Sequence, residues 1–349
     1  MPFASRDSFL LRGDETQVTN FRTFRNGDAP ALAELWNRGC PRSGVARPLT
    51  PHEFDAAVVS KPTFDVRGLL VAERDGRLLG FVHAGFGTGA LSDPLYSLDH
   101  KLGTVAMLVV DPSVTDESVE AQLLLHAERY LRASGAEVIY AGGQLPLNPF
   151  YWGVYGGSEY AGILPDHDRF IRAVTLAGYE AVSQTVLMEA DLELPEIRDP
   201  RSPLIRRVAR VEVIEDPLPE NWWEALAIGN FGLRCFQLLA KTDDHELARA
   251  TTWDMSWFSR EDRRLQLGLI AMEVNPDHRR KGYGRHLVAE ILRRAREELI
   301  TVVALQTNAT NRPALELYQS LGFQPSSTST LYRLPGPLVS RSDSPLIGE

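Results

Sequence analysis

Hydrophobic positions in the first half of the chain either alternate, as in β-strands, or recur every three to four residues, as in helices. Together they predict the order strand, helix, helix, strand, strand, strand, helix, strand, helix, strand. Asp75-Gly76 favours a hairpin turn between the second and third strands, and Thr115 is placed to cap the third helix. The predicted elements are Val18–Phe24, Pro30–Asn37, Pro51–Val59, Gly68–Glu73, Leu78–Phe86, Thr104–Val110, Glu117–Ala133, Glu137–Tyr140, Arg169–Leu176 and Val182–Ala190.

The second half repeats the same logic, so the chain is predicted to hold two copies of one fold. We expect a first domain at 1–192, a linker at 193–203 with prolines and charges, a second domain at 204–334 and a disordered tail at 335–349. The elements predicted in the second domain are Arg207–Ile214, Trp222–Leu226, Phe231–Leu239, Leu247–Trp253, Leu265–Val274, Arg285–Glu298, Val302–Thr307 and Asn311–Leu321.

A short basic loop joins the apolar run that ends at Val274 to the helical pattern that follows it. Gly282 and Gly284 allow a tight turn and a close approach of the backbone to a ligand. The helix behind the loop directs free N–H groups and its positive dipole end at the same place, which is a geometry that binds phosphate or pyrophosphate. Because the chain has a formal net charge of -9, this local cluster indicates a small anionic ligand rather than nucleic acid. The basic residues are Arg279, Arg280, Lys281 and Arg285.

The spacing of the loop glycines excludes two common phosphate-binding motifs. The chain has no Gly-x-x-x-x-Gly-Lys-Ser/Thr string, and Leu287 stands where the dinucleotide fingerprint needs its third glycine. The string Arg279-x-x-Gly282-x-Gly284 instead resembles the pyrophosphate loop of the GCN5-related N-acetyltransferases (GNAT), which bind acetyl-CoA.

A second segment, Asn308 to Phe323, carries the other part of this resemblance. Asn311 is a candidate helix N-cap, and the glycine of Leu321-Gly322-Phe323 is placed to end the helix. An Asn, a Tyr seven residues later (Tyr318) and a Leu-Gly-Phe ending are similar to the second cofactor-binding segment of the GNAT family. The chain is therefore identified as a tandem member of that family, with a layout similar to that of the mycothiol synthases in architecture alone.

The resemblance implies an α/β fold with two tandem acetyltransferase domains, each a mixed, mostly antiparallel central sheet flanked by helices. It also implies acetyl-CoA as cosubstrate and a strand ending at Val274 that splays from its neighbour. Tyr318 would protonate the departing thiolate, since a phenol stays protonated at neutral pH. The residues expected to bind the cofactor are Met272, Val274, Arg279, Arg280, Lys281, Gly282, Tyr283, Gly284, Arg285 and Asn311.

The group that removes a proton from the acceptor stays open at this point. An amine that resembles a lysine side chain is mostly protonated at neutral pH and needs a base. Glu273 lies on the strand beside the expected thioester position, and Asp254 and His278 are weaker candidates. A chain of water molecules would also serve.

The first half lacks the residues that carry this chemistry. Alignment of Val110-Asp-Pro with Val274-Asn-Pro puts Ser118 and Glu120 at the positions of the two loop glycines. Val174 stands where the second half has its tyrosine. We therefore predict a non-catalytic first half, which stabilises the second or forms part of the acceptor site.

A long loop, Gly142–Gly162, is rich in glycine and aromatic residues. Loops of this length inside compact domains often bind ligands. Its aromatic residues either line an acceptor pocket or a contact between the domains, or they simply cover the core of the first domain. The aromatic residues concerned are Tyr151, Trp152, Tyr155 and Tyr160.

Composition narrows the class further. The chain has 349 residues, 44% of them hydrophobic, and no apolar run long enough to span a bilayer. The start lacks the apolar core of a signal peptide, and two distant cysteines fit a reducing compartment, so we predict a cytoplasmic protein. The eight histidines form no ligand pattern, so we predict no metal.

The predicted function is transfer of an acetyl group from acetyl-CoA directly to a primary amine of a small molecule or peptide, in the second half of the chain. No nucleic acid or membrane partner is expected, and the sequence leaves the oligomeric state open. Transfer of a longer acyl or aminoacyl group is an alternative of the same class. A non-catalytic sensor of acyl-CoA is an alternative of another class, although it has no need of the proton donor Tyr318.

Overall fold

Two consecutive α/β units form this protein, of which a computed structural model describes residues 18–88, 98–144, 146–219, 222–229, 231–258 and 264–335. The tail predicted from Pro335 lies outside the described residues after its first position. None of the helices in the described ranges is long and apolar enough to cross a membrane.

The first unit has the predicted order of elements. Gly178, just after its last helix, has a left-handed φ of 85° and thereby allows the chain to reverse into the following strand. Its strands are β1 (Asn20–Thr23), β2 (Leu69–Arg74), β3 (Arg77–Thr88), β4 (Leu98–Val110), β5 (Val138–Ala141) and β6 (Glu180–Asp191), and its helices are α1 (Ala29–Gly39), α2 (Pro51–Phe54), α3 (Ser118–Ala133) and α4 (Asp168–Leu176).

The second unit follows the same order from its second strand onward, but its described residues begin with a helix and have one helix between the first two strands. Gly322, with φ of 94°, follows its last helix in the same way. Its strands are β7 (Ala209–Glu215), β8 (Leu233–Ala240), β9 (Glu246–Asp254), β10 (Gln266–Val274), β11 (Val302–Asn308) and β12 (Gln324–Leu334), and its helices are α5 (Ser202–Val208), α6 (Trp222–Ile228), α7 (Tyr283–Glu297) and α8 (Arg312–Gln319).

Two local predictions are wrong. The strand predicted from Arg207 begins at Ala209, because Pro203 lies in the first turn of α5, where a missing N–H costs least, and the helix runs to Val208. Thr115 does not cap α3; the Asp116 carboxylate accepts the hydrogen bond from the Ser118 backbone N–H at 3.0 Å instead.

The twelve strands of the described residues belong to one sheet, in the order β1-β2-β3-β4-β5-β12-β6-β11-β10-β9-β8-β7. The pairs β4–β5 and β10–β11 are parallel, and the other neighbouring pairs are antiparallel. The fold is therefore the expected α/β class, with two units that each have a mixed, mostly antiparallel sheet.

The two units exchange their last strands. β12, from the end of the second unit, pairs with β5 of the first unit, at Tyr332↔Ala141 among other pairs. β6, from the end of the first unit, pairs with β11 of the second from Val302↔Asp191 to Asn308↔Thr185. Each half-sheet is thus completed by a strand from the other half of the chain.

Three hydrophobic clusters cover the faces of this sheet. Helices α3 and α4 pack on one face of the first half, and α7 and α8 pack on the corresponding face of the second. The third cluster occupies the opposite face and runs across both halves. It joins Trp36 and Phe54 of the first half to Trp253, Ile270 and Ala304 of the second.

The aromatic loop lies in this shared cluster, and it both covers the first core and contacts the second half. Tyr151 stacks on Trp36 with ring centroids 5.7 Å apart. A Cβ atom on Gly153 would lie 2.7 Å from Trp253 and 2.9 Å from Phe258, so only glycine lets the loop come this close. The loop is therefore a contact between the two halves.

Candidate functional site

The parallel strands β10 and β11 separate halfway along their length. Their ladder runs from Gln266↔Val302 to Leu269↔Leu305 and stops there. Beyond this point β10 pairs only with β9, and β11 pairs only with β6. A register shift after Ile270 and a left-handed Ala271 (φ 49°) turn β10 away. The result is a gap in the sheet between Met272–Val274 and the end of β11, which is the splay that the sequence resemblance implies.

The basic loop lies at the end of β10 and leads into α7. Gly282 is the left-handed N-cap of the helix, with φ of 89°. Gly284 is buried in the first turn, where a Cβ atom would lie 2.9 Å from Val274 Cγ2 and 3.1 Å from Met272 Cε. The turn therefore packs directly on the part of β10 that borders the gap, which places the free N–H groups of the helix beside it.

The basic side chains of the loop fall into two groups. Arg279, Arg280 and Lys281 are exposed, so their charge is available to a ligand. Arg285 is instead held by the protein, with Nε 3.3 Å from the buried carboxylate of Asp199 and a guanidinium NH donating to the Ser320 carbonyl at 3.0 Å. Arg285 thus anchors α7 to the linker and to the end of α8.

Tyr318 lies on α8, buried against Phe323 with ring centroids 5.7 Å apart. Its hydroxyl has no hydrogen bond to any residue that the structure describes. Burial, and next the negative charge of Glu159, raise the pKa of Tyr318 to about 12. The phenol therefore holds its proton through the neutral range. Asn311 is exposed and caps α8, since its Oδ1 accepts from the Ala314 N–H at 3.2 Å.

The three candidate bases named from the sequence lie in different settings. Asp254 is exposed and accepts hydrogen bonds from the Ser256 N–H at 2.9 Å and the Ser256 hydroxyl at 2.6 Å, as a turn cap does. The Nε2 atom of His278 lies 3.1 Å from the Nε2 atom of His245. Glu273 is exposed, opposite Arg249 on the neighbouring strand.

Sequence reasoning missed Glu159, a half-buried carboxyl in the aromatic loop of the first half. It forms no hydrogen bond or ion pair with any described residue, and burial raises its pKa to about 7. Its charge acts on Tyr318 of the second half. The available signal was an acidic residue in the tight Gly156-Gly157-Ser158-Glu159 turn of a loop that had been singled out only for its aromatic residues.

The corresponding cleft of the first half is filled by the protein itself. The β4–β5 ladder also stops early, at Val105↔Ala141. Beyond it, the Tyr160 hydroxyl donates to the Ala106 carbonyl, and the buried ring of His167 bonds to the backbone of Leu108. These carbonyls lie on β4, at the positions where β10 borders the open gap.

Arg169 fills the loop after β4 in the same manner. Its guanidinium donates to the carbonyls of Asp111 and Val114, both at 2.9 Å, and also bonds to the Glu120 carboxylate. The positions that correspond to the exposed basic loop of the second half are thus occupied by internal hydrogen bonds.

A cavity of about 320 Å³ opens on the face of the second half that is opposite α7 and α8. Residues of both halves line it, among them Gly157 of the aromatic loop and Ala304 of β11. Its polar lining includes Arg42, Glu189 and Gln266.

A parallel strand pair that splays beside a glycine-capped, basic helix N-terminus forms a cleft suited to a ligand that carries phosphate groups. The sequence profile of the Acetyltransferase (GNAT) family matches residues 30–155 and 205–323, together more than half of the chain. The protein belongs to this family, whose fold uses acyl-CoA, and it carries two copies of the family's domain.

Known proteins agree with this assignment. The [Ribosomal protein bS18]-alanine N-acetyltransferase of Salmonella typhimurium is 29% identical over 111 residues, which are 32% of this chain and 70% of that protein. A tandem GNAT protein from the clavulanic acid biosynthesis pathway superposes with a TM-score of 0.65 at 13% identity, over 90% of this chain and 98% of that one.

A GCN5-related glucosamine N-acetyltransferase region in a fungal multi-domain GH3 β-N-acetylglucosaminidase also reaches a TM-score of 0.65, at 14% identity. The match covers 91% of this chain but only 38% of the fungal one. Both structural likenesses concern the fold alone.

Proposed function

We propose that this protein is an acetyl-CoA-dependent N-acetyltransferase that acts in its second half on a primary amine. The observation that carries the proposal is the gap between β10 and β11, bordered by the glycine-capped start of α7. The close packing of Gly284 on Met272 and Val274 supports the proposal, because a side chain at position 284 would occupy the space between the helix start and β10. Tyr318 adds a buried proton donor to the same half.

The residues divide the work of binding and transfer. Backbone groups of Met272 and Val274 hold the pantetheine arm in the gap, and the N–H groups at Gly282 to Gly284 face the pyrophosphate. Arg279, Arg280 and Lys281 add screening charge at the mouth. Acetyl-CoA supplies the acetyl group as a thioester, and the protein contributes alignment, which lowers the barrier by several kcal/mol when two reactants are held in line.

The proton balance at sulfur assigns a role to Tyr318. A thiolate that leaves the thioester needs a proton, and the buried phenol keeps its proton at neutral pH. Tyr318→Phe is expected to lower kcat by about 100-fold and to leave the Kd for CoA unchanged, because phenylalanine keeps the packing on Phe323. Steady-state kinetics and calorimetry would measure the two effects.

The matched control for this variant is Tyr332→Phe, which removes a hydroxyl from β12 outside the gap. It should behave as wild type. Normal turnover by Tyr318→Phe with a proven acceptor would exclude the role of Tyr318 as the acid. Binding of acetyl-CoA by wild type without transfer to any amine would favour the alternative of a non-catalytic acyl-CoA sensor.

The acceptor screen can start from the chemistry named for the relatives. A peptide that begins with alanine and free glucosamine are the first two probes, since both present a primary amine. The cavity lined by both halves limits the part of the acceptor that enters to a small group.

We expect one acetyl-CoA to bind per chain. The internal hydrogen bonds of Tyr160, His167 and Arg169 occupy the cleft of the first half, so a second molecule would have to displace them. Calorimetric titration of the whole chain measures the stoichiometry directly. Two sites of similar affinity would show that these side chains move aside.

A further inference from the structure

We propose that Glu159, supplied by the first half, is the general base that removes a proton from the acceptor ammonium in the second half. The inference rests on the proposed function and names a residue that touches the acceptor nitrogen. It makes the first half a direct participant in the chemistry although its own cleft is filled.

The turn that carries Glu159 is attached to the second half on two sides. The Trp253 Nε1–H of β9 donates to the Ser158 carbonyl at 3.1 Å. The Gln306 side-chain amide of β11 donates to the Gly156 carbonyl. Gly157 lies between them, where a Cβ atom would come within 2.7 Å of Leu187 on β6. The turn is therefore fixed in position on β9 and β11 of the second half and against β6 of the first.

These attachments place the turn at the gap. Gln306 is the first residue of β11 beyond the last parallel pair, Leu269↔Leu305, so its amide lies where the two strands begin to separate. Tyr318 belongs to the cluster on the other face of the sheet, and yet the charge of Glu159 reaches its hydroxyl. The carboxyl and the phenol are therefore close enough to interact electrostatically at this opening.

The surroundings suit a base that works at neutral pH. Glu159 has no hydrogen-bonding or ionic partner among the described residues, so its oxygens are available to an incoming ammonium. Burial raises its pKa to about 7, which gives roughly equal acid and base forms near neutrality. Among the described titratable residues, Tyr318 interacts electrostatically with Glu159, and Tyr318 stays protonated in this range.

The reaction balances with these two groups. The Glu159 carboxylate takes one proton from R–NH3+, and the nitrogen lone pair then forms the N–C bond to the thioester carbon. The C–S bond breaks, and the sulfur takes the phenol proton of Tyr318. The phenolate recovers a proton from the nitrogen, which leaves the neutral amide, and Glu159 releases its proton to solvent.

The test uses the whole chain and two probe amines at saturating acetyl-CoA, with release of CoA thiol as the readout. Ethanolamine is mostly protonated at neutral pH and needs a base, whereas hydroxylamine is mostly neutral and does not. Glu159→Gln is expected to lower kcat/KM for ethanolamine about 100-fold at pH 7 and to spare hydroxylamine. The deficit should narrow as the pH approaches the pKa of the amine.

Two other carboxyls are the controls. Glu137→Gln changes an exposed surface residue of the first half and should keep the wild-type profile. Glu273→Gln changes the competing candidate on β10. In wild type, kcat/KM for ethanolamine should fall below about pH 7 as the base becomes protonated. If this fall persists in Glu159→Gln, or disappears in Glu273→Gln instead, the assignment of Glu159 is wrong.

Thermal unfolding separates a catalytic from a structural role. In the folded protein the pKa of Glu159 is about 7, above the ordinary value of 4.5. The folded state therefore loses stability as the pH rises from about 4.5 through 7 and the buried carboxyl ionises. Glu159→Gln is therefore expected to raise Tm at pH 8 while activity falls. A lower Tm at pH 8 would indicate a structural residue and would overturn the proposal.

Failure of the proposed function would be recognised separately. If wild type releases no thiol with either probe, the transfer reaction fails for these amines. Infrared titration of the Glu159 carboxyl with CoA bound then tests whether this group exchanges its proton near neutral pH. A carboxyl band that is absent from Glu159→Gln and titrates near pH 7 supports the inference. A titration near the ordinary pKa of glutamate contradicts it.

Discussion

Gly284→Glu is expected to weaken acetyl-CoA binding by about 100-fold or more, the largest effect of any single substitution in the basic loop. The new Cβ would lie 2.9 Å from Val274 and 3.1 Å from Met272, so the first turn of α7 has to move away from β10. The new carboxylate would also stand at the helix N-terminus, where the phosphates are expected, and would repel them. Isothermal calorimetry with acetyl-CoA measures the loss.

Two further variants show whether this loss is local. Gly27→Glu places the same residue where a Cβ meets nothing within 4 Å, and it should leave both Tm and binding unchanged. Arg279→Glu reverses an exposed charge in the loop without a packing change, and it should weaken binding with no loss of Tm. Full affinity in a folded Gly284→Glu protein would exclude the basic loop as the pyrophosphate site.

Cutting the chain between its halves is expected to leave them bound to each other. A protease site introduced at Glu196, in the exposed stretch 193–198, would separate the chain into two pieces. Each piece still needs the exchanged strand of the other, because β12 pairs with β5 and β6 pairs with β11. Size-exclusion chromatography after cleavage should show one 1:1 complex, and denaturing gels should show two pieces.

The same reasoning predicts that neither half folds when it is produced alone. A separate first half would have unpaired edges on β5 and β6, and a separate second half would have them on β11 and β12, with apolar faces exposed. Mixing the two denatured pieces and removing denaturant should restore the circular-dichroism spectrum of the whole chain. Two stable, independent monomers after cleavage would contradict the exchanged pairing.

Much of each half could be predicted because local signals agree with the fold. Gly282 and Gly284 between an apolar strand and a helix, and Asn311 before an amphipathic turn, fix conformations through short-range chemistry. The exchange could not be predicted in this way. β6 and β12 are both amphipathic last strands, and nothing in their own sequences distinguishes a place beside β5 from a place beside β11.

The candidate site divides along the same line. The loop and Tyr318 follow from contiguous motifs, whereas the role of Arg285 depends on a buried partner, Asp199, that lies 86 residues away. Glu159 is more distant still from Tyr318 in sequence, and the attachment of its turn to Trp253 and Gln306 brings the two together. Interactions between the halves cannot be predicted from the periodicity of hydrophobic residues or from the spacing of motifs.

The exchanged strands also constrain how such a gene can change over time. After a duplication, one of the two copies is usually free to drift and to be lost. Here a deletion of the first copy would remove β6, which β11 and β12 both require. Natural selection on the second copy therefore retains the first as well, because the loss of either copy would leave the sheet of the other incomplete.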